Sequence, residues 1–391
     1  MNLADLIQAA REAARRGQID DAIEHYQEAA ELAPEDGNLR RNIGVLLLKQ
    51  GDLDSAIDQL ELAAELSPEV PAIRLQLGRA YESRGDRQLA VRHYFRALVK
   101  AQLREQWLDQ ASTPPALWPL VQHAAAVAGP GRQEILMGLL EPEIAQYGQS
   151  AMARVARALH GYLGQQPAYP ASANQRPRFL YFPGLREQHY YPPKDFAWVS
   201  GLEAAAPAIR AEALAQWHAG EDLQPFLEFN DPSEAGNYLG KAPGAAWNAL
   251  FFYRGGTRFH RNHDACPQTS AALAACDLVH IGGHAPEVCF SILAPGTHIL
   301  PHTGVTNIRL VVHLPLLIPK DCALSVAGER HTWEPDQVMV FDDTFEHEAW
   351  NKSPDTRIIL LMDTWHPDLR PEERLAMTRI IEGIGQFHRG D

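Results

Sequence analysis

The sequence predicts an α+β multidomain protein, in which an all-α solenoid at the amino terminus is followed by a double-stranded β-helix of the jelly-roll type. Two observations lead to this fold class. Small residues recur every 34 positions over residues 3–104, which is typical of stacked helical hairpins. After residue 178 the chain changes to short β-rich runs separated by turn residues, which is typical of a sandwich or barrel.

Composition narrows the function classes before any motif is considered. The chain has 391 residues, 46% of them hydrophobic, and a net charge of -14 at pH 7. A polyanion would be repelled and no Lys/Arg cluster stands out, so a nucleic-acid partner is not expected. The chain contains no apolar run of about 18 residues, so the sequence does not predict a transmembrane segment. Four cysteines without a CxxC pair, and a start without an apolar signal core, lead us to expect reduced thiols and a cytoplasmic location.

The amino-terminal repeat is carried by positions that keep the 34-residue step. A glycine that ends the first helix of a pair can take the left-handed conformation at little cost, and small residues let paired helices approach closely. The pattern resembles three tetratricopeptide repeats within residues 1–105. This resemblance implies either a surface that recruits a protein, peptide or carrier-bound substrate, or a purely structural element that packs on a neighbour. The repeated positions are Gly17, Gly51 and Gly85; Ala22, Ala56 and Ala90; Ala29, Ala63 and Ala97; Ala10, Gly44 and Gly78; and Tyr26, Leu60 and Tyr94.

Residues 106–177 are predicted to form a helical cap and a linker. Residues 97–113 are a candidate cap for the last repeat, which a solenoid needs at its end. Apolar residues then recur at steps of three and four, as in a helix, and Pro142 would interrupt or start one. Residues 164–178 are rich in Pro, Ala, Gln and Asn and lack a period, which favours a linker.

The carboxy-terminal part, residues 178–391, is predicted to be mostly β-structure. Two helices are expected, near 198–217 and 371–386. A cupin-like jelly roll is the all-β architecture that holds a metal ion in its mouth. The predicted strands are RFLYF, WNALFFYR, VCFSILA, IRLVVHLPLLI, CALSVAG, QVMVFDD and TRIILLMD.

Two histidines and an arginine form the most specific motif in the chain. His302 lies in PHTG and His347 in FEH, 45 positions later, each at the edge of a strand-like run, and Arg357 follows ten residues after His347. An Fe(II) oxygenase site needs neutral imidazoles on one side of the metal and open positions on the other. A co-substrate with two carboxylates needs a fixed cation, and arginine binds a carboxylate through two parallel hydrogen bonds.

Residues 178–370 resemble the aspartyl/asparaginyl β-hydroxylase family of 2-oxoglutarate-dependent oxygenases. The resemblance covers about half of the chain and is densest in its second half. It implies that His302 and His347 bind iron. Many related oxygenases add a carboxylate two residues after the first histidine, where this chain has Gly304; the family tolerates this glycine and completes the site with water or co-substrate. The motifs that carry the resemblance are YFPGL at 181–185, WNALFFYRGG at 247–256, SILAPGTHILPHTGVTN at 291–307 and the run from FDDTFEHEAWN to TWHP.

The same resemblance implies the binding site for 2-oxoglutarate. Arg357 matches the arginine that binds its distal carboxylate, Ser291 a serine that assists, and His313 a histidine near its other end. The family usually reads Arg-x-His-Leu, whereas this chain has Val311 in place of the arginine. Arg309 lies two residues earlier on the same strand face, about 6–7 Å away along the strand, and is the candidate replacement.

Each of these residues has a structural alternative. Arg357 could form a salt bridge with Asp355 or Asp363, and Ser291 could bond only to backbone. The aspartates of FDDTFEH could offer a carboxylate to the metal or orient His347, but more often such aspartates bond turn amides. Most of the 17 histidines are expected to be ordinary polar residues, and the run HRNHDAC at 260–266 is predicted to be a loop.

The resemblance implies an Fe(II)- and 2-oxoglutarate-dependent dioxygenase that uses O₂ to hydroxylate an aliphatic carbon. An Asp- or Asn-type residue in a protein, peptide or carrier-bound substrate is the expected target. The alternative is a tetratricopeptide scaffold protein whose oxygenase-like domain has lost turnover, which the change at Val311 favours. A third hypothesis is a cupin-like metal enzyme that does not use 2-oxoglutarate.

Overall fold

The computed structural model describes residues 1–166, 169–227, 238–240 and 246–389. The chain divides into two compact units, each described here by itself. One comprises Met1–Gly138 with the end of the chain from Gln386, and the other comprises Leu139–Gly385. Residues 167 and 168 of the predicted linker lie outside the described residues.

Three antiparallel helix pairs occupy the predicted repeat positions. Gly51 and Gly85 end the first helices of the second and third pairs with φ of +86° and +95°, as the repeat predicted. Gly78 packs against the ring of Tyr94, where a Cβ atom would lie 2.4 Å from the ring, so the small residue sets the helix spacing. The helices are α1 (Leu3–Arg15), α2 (Ile19–Leu32), α3 (Gly37–Gln50), α4 (Leu53–Leu66), α5 (Pro71–Arg84) and α6 (Arg87–Gln102).

A further helix, α7 (Trp118–Gly138), covers the last repeat. Its buried residues Val121, Ala124 and Ala128 belong to the same hydrophobic cluster as α5 and α6. Residues 97–113 supply only part of the predicted cap, because α6 ends at Gln102 and the chain then turns, burying Trp107. The predicted domain limits at 105 and 177 stay predictions. None of the helices in the described part of the chain combines the length and the apolar character of a membrane span.

The second unit contains two antiparallel sheets. The larger has the order β1-β10-β7-β12-β5-β3-β2, with β4 beside β3, and the smaller has the order β6-β11-β8-β9. The strands are β1 (Tyr190–Tyr191), β2 (Gln224–Pro225), β3 (Trp247–Arg254), β4 (Thr257–Arg258), β5 (Val288–Leu293), β6 (His298–His302), β7 (Arg309–Leu317), β8 (Cys322–Val326), β9 (Glu329–His331), β10 (Met339–Phe341), β11 (His347–Asn351) and β12 (Arg357–Trp365). The remaining helices are α8 (Glu141–Tyr147), α9 (Gln149–Tyr162), α10 (Val199–Ala219), α11 (His260–Ala265), α12 (Pro267–Ala274) and α13 (Pro371–Arg389).

The two faces of the larger sheet bury different side chains. One face packs with α10 and α12 in a hydrophobic cluster that includes Leu310, Val312 and Leu314 of β7. The opposite face of β7, including Val311, faces the smaller sheet across a second cluster. Burial on both faces explains the nearly continuous apolar run in β7. Two antiparallel sheets packed face to face agree with the predicted jelly roll.

Some local predictions were wrong. RFLYF at 178–182 makes only one isolated bridge, between Leu180 and Thr306, instead of a strand. HRNHDAC is not a loop, because residues 260–265 form α11, and His263 is buried among aromatic rings on the helix-covered face of the sheet. Strand β6 was not predicted, because its polar residues obscure the β pattern.

Candidate active site

His302 and His347 lie directly opposite each other on neighbouring strands of the smaller sheet. His302 is the last residue of β6, His347 is the first of β11, and the two are register partners. Their ring centroids are 4.1 Å apart, with an angle of 51° between the ring planes. Side chains of directly paired residues project on the same side of a sheet. Two residues that are 45 positions apart in sequence therefore present their side chains side by side on one face of the smaller sheet.

Backbone carbonyls fix the tautomer of both rings. The Nδ1 of His302 lies 2.8 Å from the Leu300 carbonyl oxygen, and the Nδ1 of His347 lies 3.0 Å from that of Phe345. A carbonyl only accepts, so each Nδ1 donates and each Nε2 keeps its lone pair. Burial lowers the pKa of both imidazoles to about 4. Both rings are neutral at pH 7, which is the form that binds a metal ion.

The described residues provide no third ligand from a side chain. No group of three or more His, Cys, Asp or Glu side chains in that part of the chain is arranged to hold a metal ion. Gly304 lies against the carboxylate of Asp343, and a Cβ atom at 304 would be 2.1 Å from its Oδ2. The space that a ligand side chain at 304 would need is therefore occupied. Two neutral imidazoles with free Nε2 atoms fit Fe(II) bound through two histidines and otherwise open positions.

We expect Gly304→Asp to destabilise the protein instead of creating a third ligand. The new carboxylate would overlap that of Asp343, and overpacking of this kind costs about 1–3 kcal/mol in the free energy of unfolding. Urea unfolding measures the loss. The double variant Gly304→Asp/Asp343→Gly moves the carboxylate across the gap and should regain most of the stability. A single variant as stable as the parent would contradict the packing argument.

Arg357, the first residue of β12, is buried and has no carboxylate partner among the described residues. It is 1% exposed, and its guanidinium lies over the ring of Trp333 at 5.2 Å. The alternative of a salt bridge with Asp355 or Asp363 is wrong for the described structure, since neither residue pairs with it. Burial lowers the pKa of Arg357 to about 10, so the guanidinium stays charged at pH 7. A buried charge is costly unless something compensates it, and a bound anion would do so.

Two hydrogen-bond donors lie on the same inner face as Arg357. Ser291 is fully buried, and its Oγ accepts from the indole nitrogen of Trp247 at 2.9 Å, which leaves its own proton free to donate. The Nδ1 of His313 accepts from the indole nitrogen of Trp333 at 3.2 Å. His313 therefore carries its proton on Nε2, because burial and the Arg357 charge hold the pKa of this imidazole well below its usual value.

Arg309 lines the same cavity but is already paired. Its guanidinium bonds to the carboxylate of Asp363 on the neighbouring strand β12. Burial alone would lower the pKa of Arg309, but the charges of Asp363, Asp343 and Glu287 raise it. The predicted role of Arg309 as a replacement for the missing cation at Val311 stays a prediction, and it would compete with this pair.

The histidine pair opens into a cavity of about 280 Å³. Its walls include both histidines, His313, Arg309, Asp343 and an apolar side formed by Phe226, Trp247, Ile299, Leu324 and Leu361. Sequence reasoning missed Arg178 and Trp247 as cavity residues. The prediction that FDDTFEH is a turn with backbone-bonded aspartates is confirmed for Asp342, which accepts from the Thr344 amide at 2.9 Å.

The segment 175–182 joins the two turns that carry the histidines. Gln175 donates a side-chain hydrogen bond of 2.8 Å to Asp342, next to the turn before His347. The Arg178 amide donates to the Gly304 carbonyl at 3.0 Å, and the Phe179 amide to that of Val305 at 2.9 Å, just after His302. Other nearby histidines have separate contacts. His298 bonds to Glu348, His366 to Tyr191 and His331 to Glu329.

Comparisons with known proteins agree with these features. A family model described as Aspartyl/Asparaginyl beta-hydroxylase matches residues 203–367, and tetratricopeptide-repeat models match 7–71 and 72–106. Human aspartyl/asparaginyl beta-hydroxylase is 35% identical over 228 residues, which are 56% of this chain and 28% of that protein. Rat aspartate beta-hydroxylase domain-containing protein 2 is 30% identical over 262 residues, 64% of this chain and 71% of that protein.

The chain therefore spans little more than a quarter of the human relative but most of the rat one. The matched part contains both histidines, Arg357 and the strands that position them. On the strength of these matches, the chain belongs to the aspartyl/asparaginyl β-hydroxylase family.

Proposed function

We propose that this chain is an Fe(II)- and 2-oxoglutarate-dependent dioxygenase that hydroxylates an aliphatic carbon. The observation that carries the proposal is the pairing of two neutral imidazoles with a buried, unpaired guanidinium on the same interior surface. Two imidazoles that keep Nε2 free suit a ferrous ion. A buried arginine that no carboxylate of the described residues engages suits a co-substrate that brings its own carboxylate.

Arg357, Ser291 and His313 would hold 2-oxoglutarate. Arg357 would bind the distal carboxylate in a fork of two hydrogen bonds, and the Ser291 hydroxyl would donate a third. His313, with its proton on Nε2, would donate towards the other end of the molecule. These groups are preorganised by their strands and by the indoles of Trp247 and Trp333, so little ordering energy is lost on binding.

When bound, Fe(II) with 2-oxoglutarate supplies oxidation by O₂, which yields succinate, CO₂ and a hydroxylated carbon. The residues of the chain orient the reactants and exclude water. The apolar wall formed by Phe226, Trp247 and Ile299 keeps one side of the cavity dry. No side chain needs to act as a general base in this scheme.

The substrate is proposed to be a protein, a peptide or a carrier-bound molecule with an Asp- or Asn-type residue. The names of the relatives support an aspartyl or asparaginyl target. Tetratricopeptide repeats favour a protein partner, and the net charge of -14 argues against nucleic acid. The cytoplasm is the proposed location.

One observation favours the second candidate, a scaffold protein without turnover. Val311 offers no charge for the inner carboxylate of 2-oxoglutarate, and Arg309 is engaged by Asp363. Under this alternative the cavity would bind neither iron nor co-substrate productively.

Anaerobic addition of Fe(II) and 2-oxoglutarate separates the candidates. The oxygenase should develop a weak metal-to-ligand charge-transfer band in the visible region, and admitting O₂ should then release succinate. Absence of both binding events would favour the scaffold. Iron binding without any effect of 2-oxoglutarate would instead favour a cupin-like metal enzyme that does not use this co-substrate.

A further inference from the structure

Among the described residues, two arginines line the cavity and a third, Arg357, lies on the same inner face of the sheet, and the three have different surroundings. Arg357 lies buried beyond the cavity and is assigned to the distal carboxylate of 2-oxoglutarate. Arg309 is half-buried and is engaged by Asp363. Arg178 also lines the cavity, but its side chain is exposed, which places it at the open side.

Arg178 is held at the mouth by the backbone of the histidine turn. Its amide donates to the carbonyl of Gly304, two residues after His302. Its charge contributes to lowering the pKa of His302 and of His347, and it offsets part of the rise that burial causes in the pKa of Asp343. The guanidinium therefore shares the cavity with both imidazoles and lies within electrostatic range of them.

Among the described residues, no carboxylate engages Arg178. In the described part of the chain, no Asp or Glu lies within ion-pair distance of its guanidinium. Arg154 and Arg186 of the same unit, by contrast, each bind a carboxylate, of Glu373 and of Asp368. A guanidinium with free donors at the opening of a cavity is suited to a planar anion, which it binds through two parallel hydrogen bonds.

We propose that Arg178 is the carboxylate-binding residue at the mouth of this cavity, and thus determines that the molecule processed there carries an anionic group. The role of Arg178 in catalysis rests on the proposed function. The carboxylate has two possible sources, the inner carboxylate of 2-oxoglutarate or an acidic group of the substrate. Both present the same chemistry to Arg178, and binding measurements distinguish them.

The test compares Arg178→Gln and Arg178→Lys with the matched control Arg176→Gln. Arg176 is also exposed and lies two residues earlier on the same segment, but it bonds to the Ala173 carbonyl and does not line the cavity. With Mn(II) present, calorimetry measures binding of 2-oxoglutarate in one arm. In the other arm it measures N-acetyl-L-aspartate N-methylamide and its uncharged asparagine counterpart, with 2-oxoglutarate already added.

We expect Arg178→Gln to weaken binding of one carboxylate probe by about tenfold, in line with a lost hydrogen bond to a charged group. Arg178→Lys should restore part of it, and Arg176→Gln should have no effect. A change confined to 2-oxoglutarate identifies its inner carboxylate as the partner. A change confined to the aspartate probe, with the asparagine probe unaffected, identifies an acidic substrate.

The proposal is overturned if Arg178→Gln binds all probes as the parent does, or if the parent binds no carboxylate probe at all. If the parent binds the aspartate probe through Arg178 but binds no 2-oxoglutarate in its own arm, the proposed function fails while this inference stands. If Arg357→Met abolishes 2-oxoglutarate binding and Arg178→Gln changes nothing, the proposed function stands and this inference fails.

Discussion

The variant His302→Ala is expected to lose Fe(II) affinity by more than about 100-fold, beyond the loss typical of outer-shell partners. With only His347 left, a ferrous ion would keep one protein ligand, because the described residues offer no third donor. Anaerobic competition against a chromophoric chelator measures the affinity, and Fe(II)-dependent succinate release measures turnover. Both should fall together.

His298→Ala is the matched control for this prediction. His298 lies on the same strand, β6, but pairs with Trp350 and bonds to Glu348 at 2.7 Å. Its removal should leave Fe(II) affinity unchanged. If His298→Ala lowered the affinity as much as His302→Ala, or if neither variant lowered it, the assignment of His302 as a metal ligand would be wrong.

The strand that carries both of these histidines also shows where sequence reasoning reaches its limit. Strict alternation would put residues 298 and 302 on one face, since they are four apart. The register shifts between His347 and Ala349, so that Ile299 rather than Leu300 lies opposite Ala349. Ile299 consequently lines the cavity. A bulge of this kind depends on the partner strand and is not visible in the pattern of a single strand.

The structural features that the sequence predicted correctly are those with the strongest local sequence patterns. Repeat glycines such as Gly51 and Gly85 end helices as predicted, because the left-handed conformation is a property of the residue itself. Apolar runs such as β7 and β12 became central strands. Histidines in distinctive motifs met across two strands, and their facing arrangement agrees with the family resemblance.

Contacts between distant segments could not be predicted. The residues before 182 looked like a linker followed by a strand, yet Gln175 and Arg178 bind the two histidine turns through tertiary hydrogen bonds. The pairing of Arg309 with Asp363, which leaves Arg357 alone, depends on which residues face each other across β7 and β12. Nothing in the spacing of these residues specified that choice.

This difference in pairing leads to opposite expectations for two arginine variants. Arg357→Met should leave the free energy of unfolding unchanged or raise it by about 1–4 kcal/mol, the range seen when apolar residues replace buried ion pairs. Its guanidinium is buried and has no carboxylate partner in the described part of the chain, so its removal leaves no described charge without a partner. Loss of the contact with Trp333 offsets part of the gain.

Arg309→Met should behave differently, because it leaves the buried carboxylate of Asp363 without its partner. Breaking a buried pair from one side costs about 3–5 kcal/mol. Thermal and urea unfolding of both variants compare the two effects directly, with similar side-chain volumes lost in each case.

The co-substrate should report the functional cost of Arg357→Met. Losing one partner of a buried, charge-assisted contact costs about 2–5 kcal/mol of binding free energy. The affinity for 2-oxoglutarate should therefore fall by a factor between about 30 and a few thousand. Arg357→Lys keeps the positive charge but cannot donate two parallel hydrogen bonds, so this variant should bind 2-oxoglutarate with intermediate affinity. A variant that gains stability while losing its ligand identifies a residue retained for binding. If Arg357→Met instead unfolded as readily as Arg309→Met and still bound 2-oxoglutarate normally, Arg357 would be a structural residue and the co-substrate site would lie elsewhere.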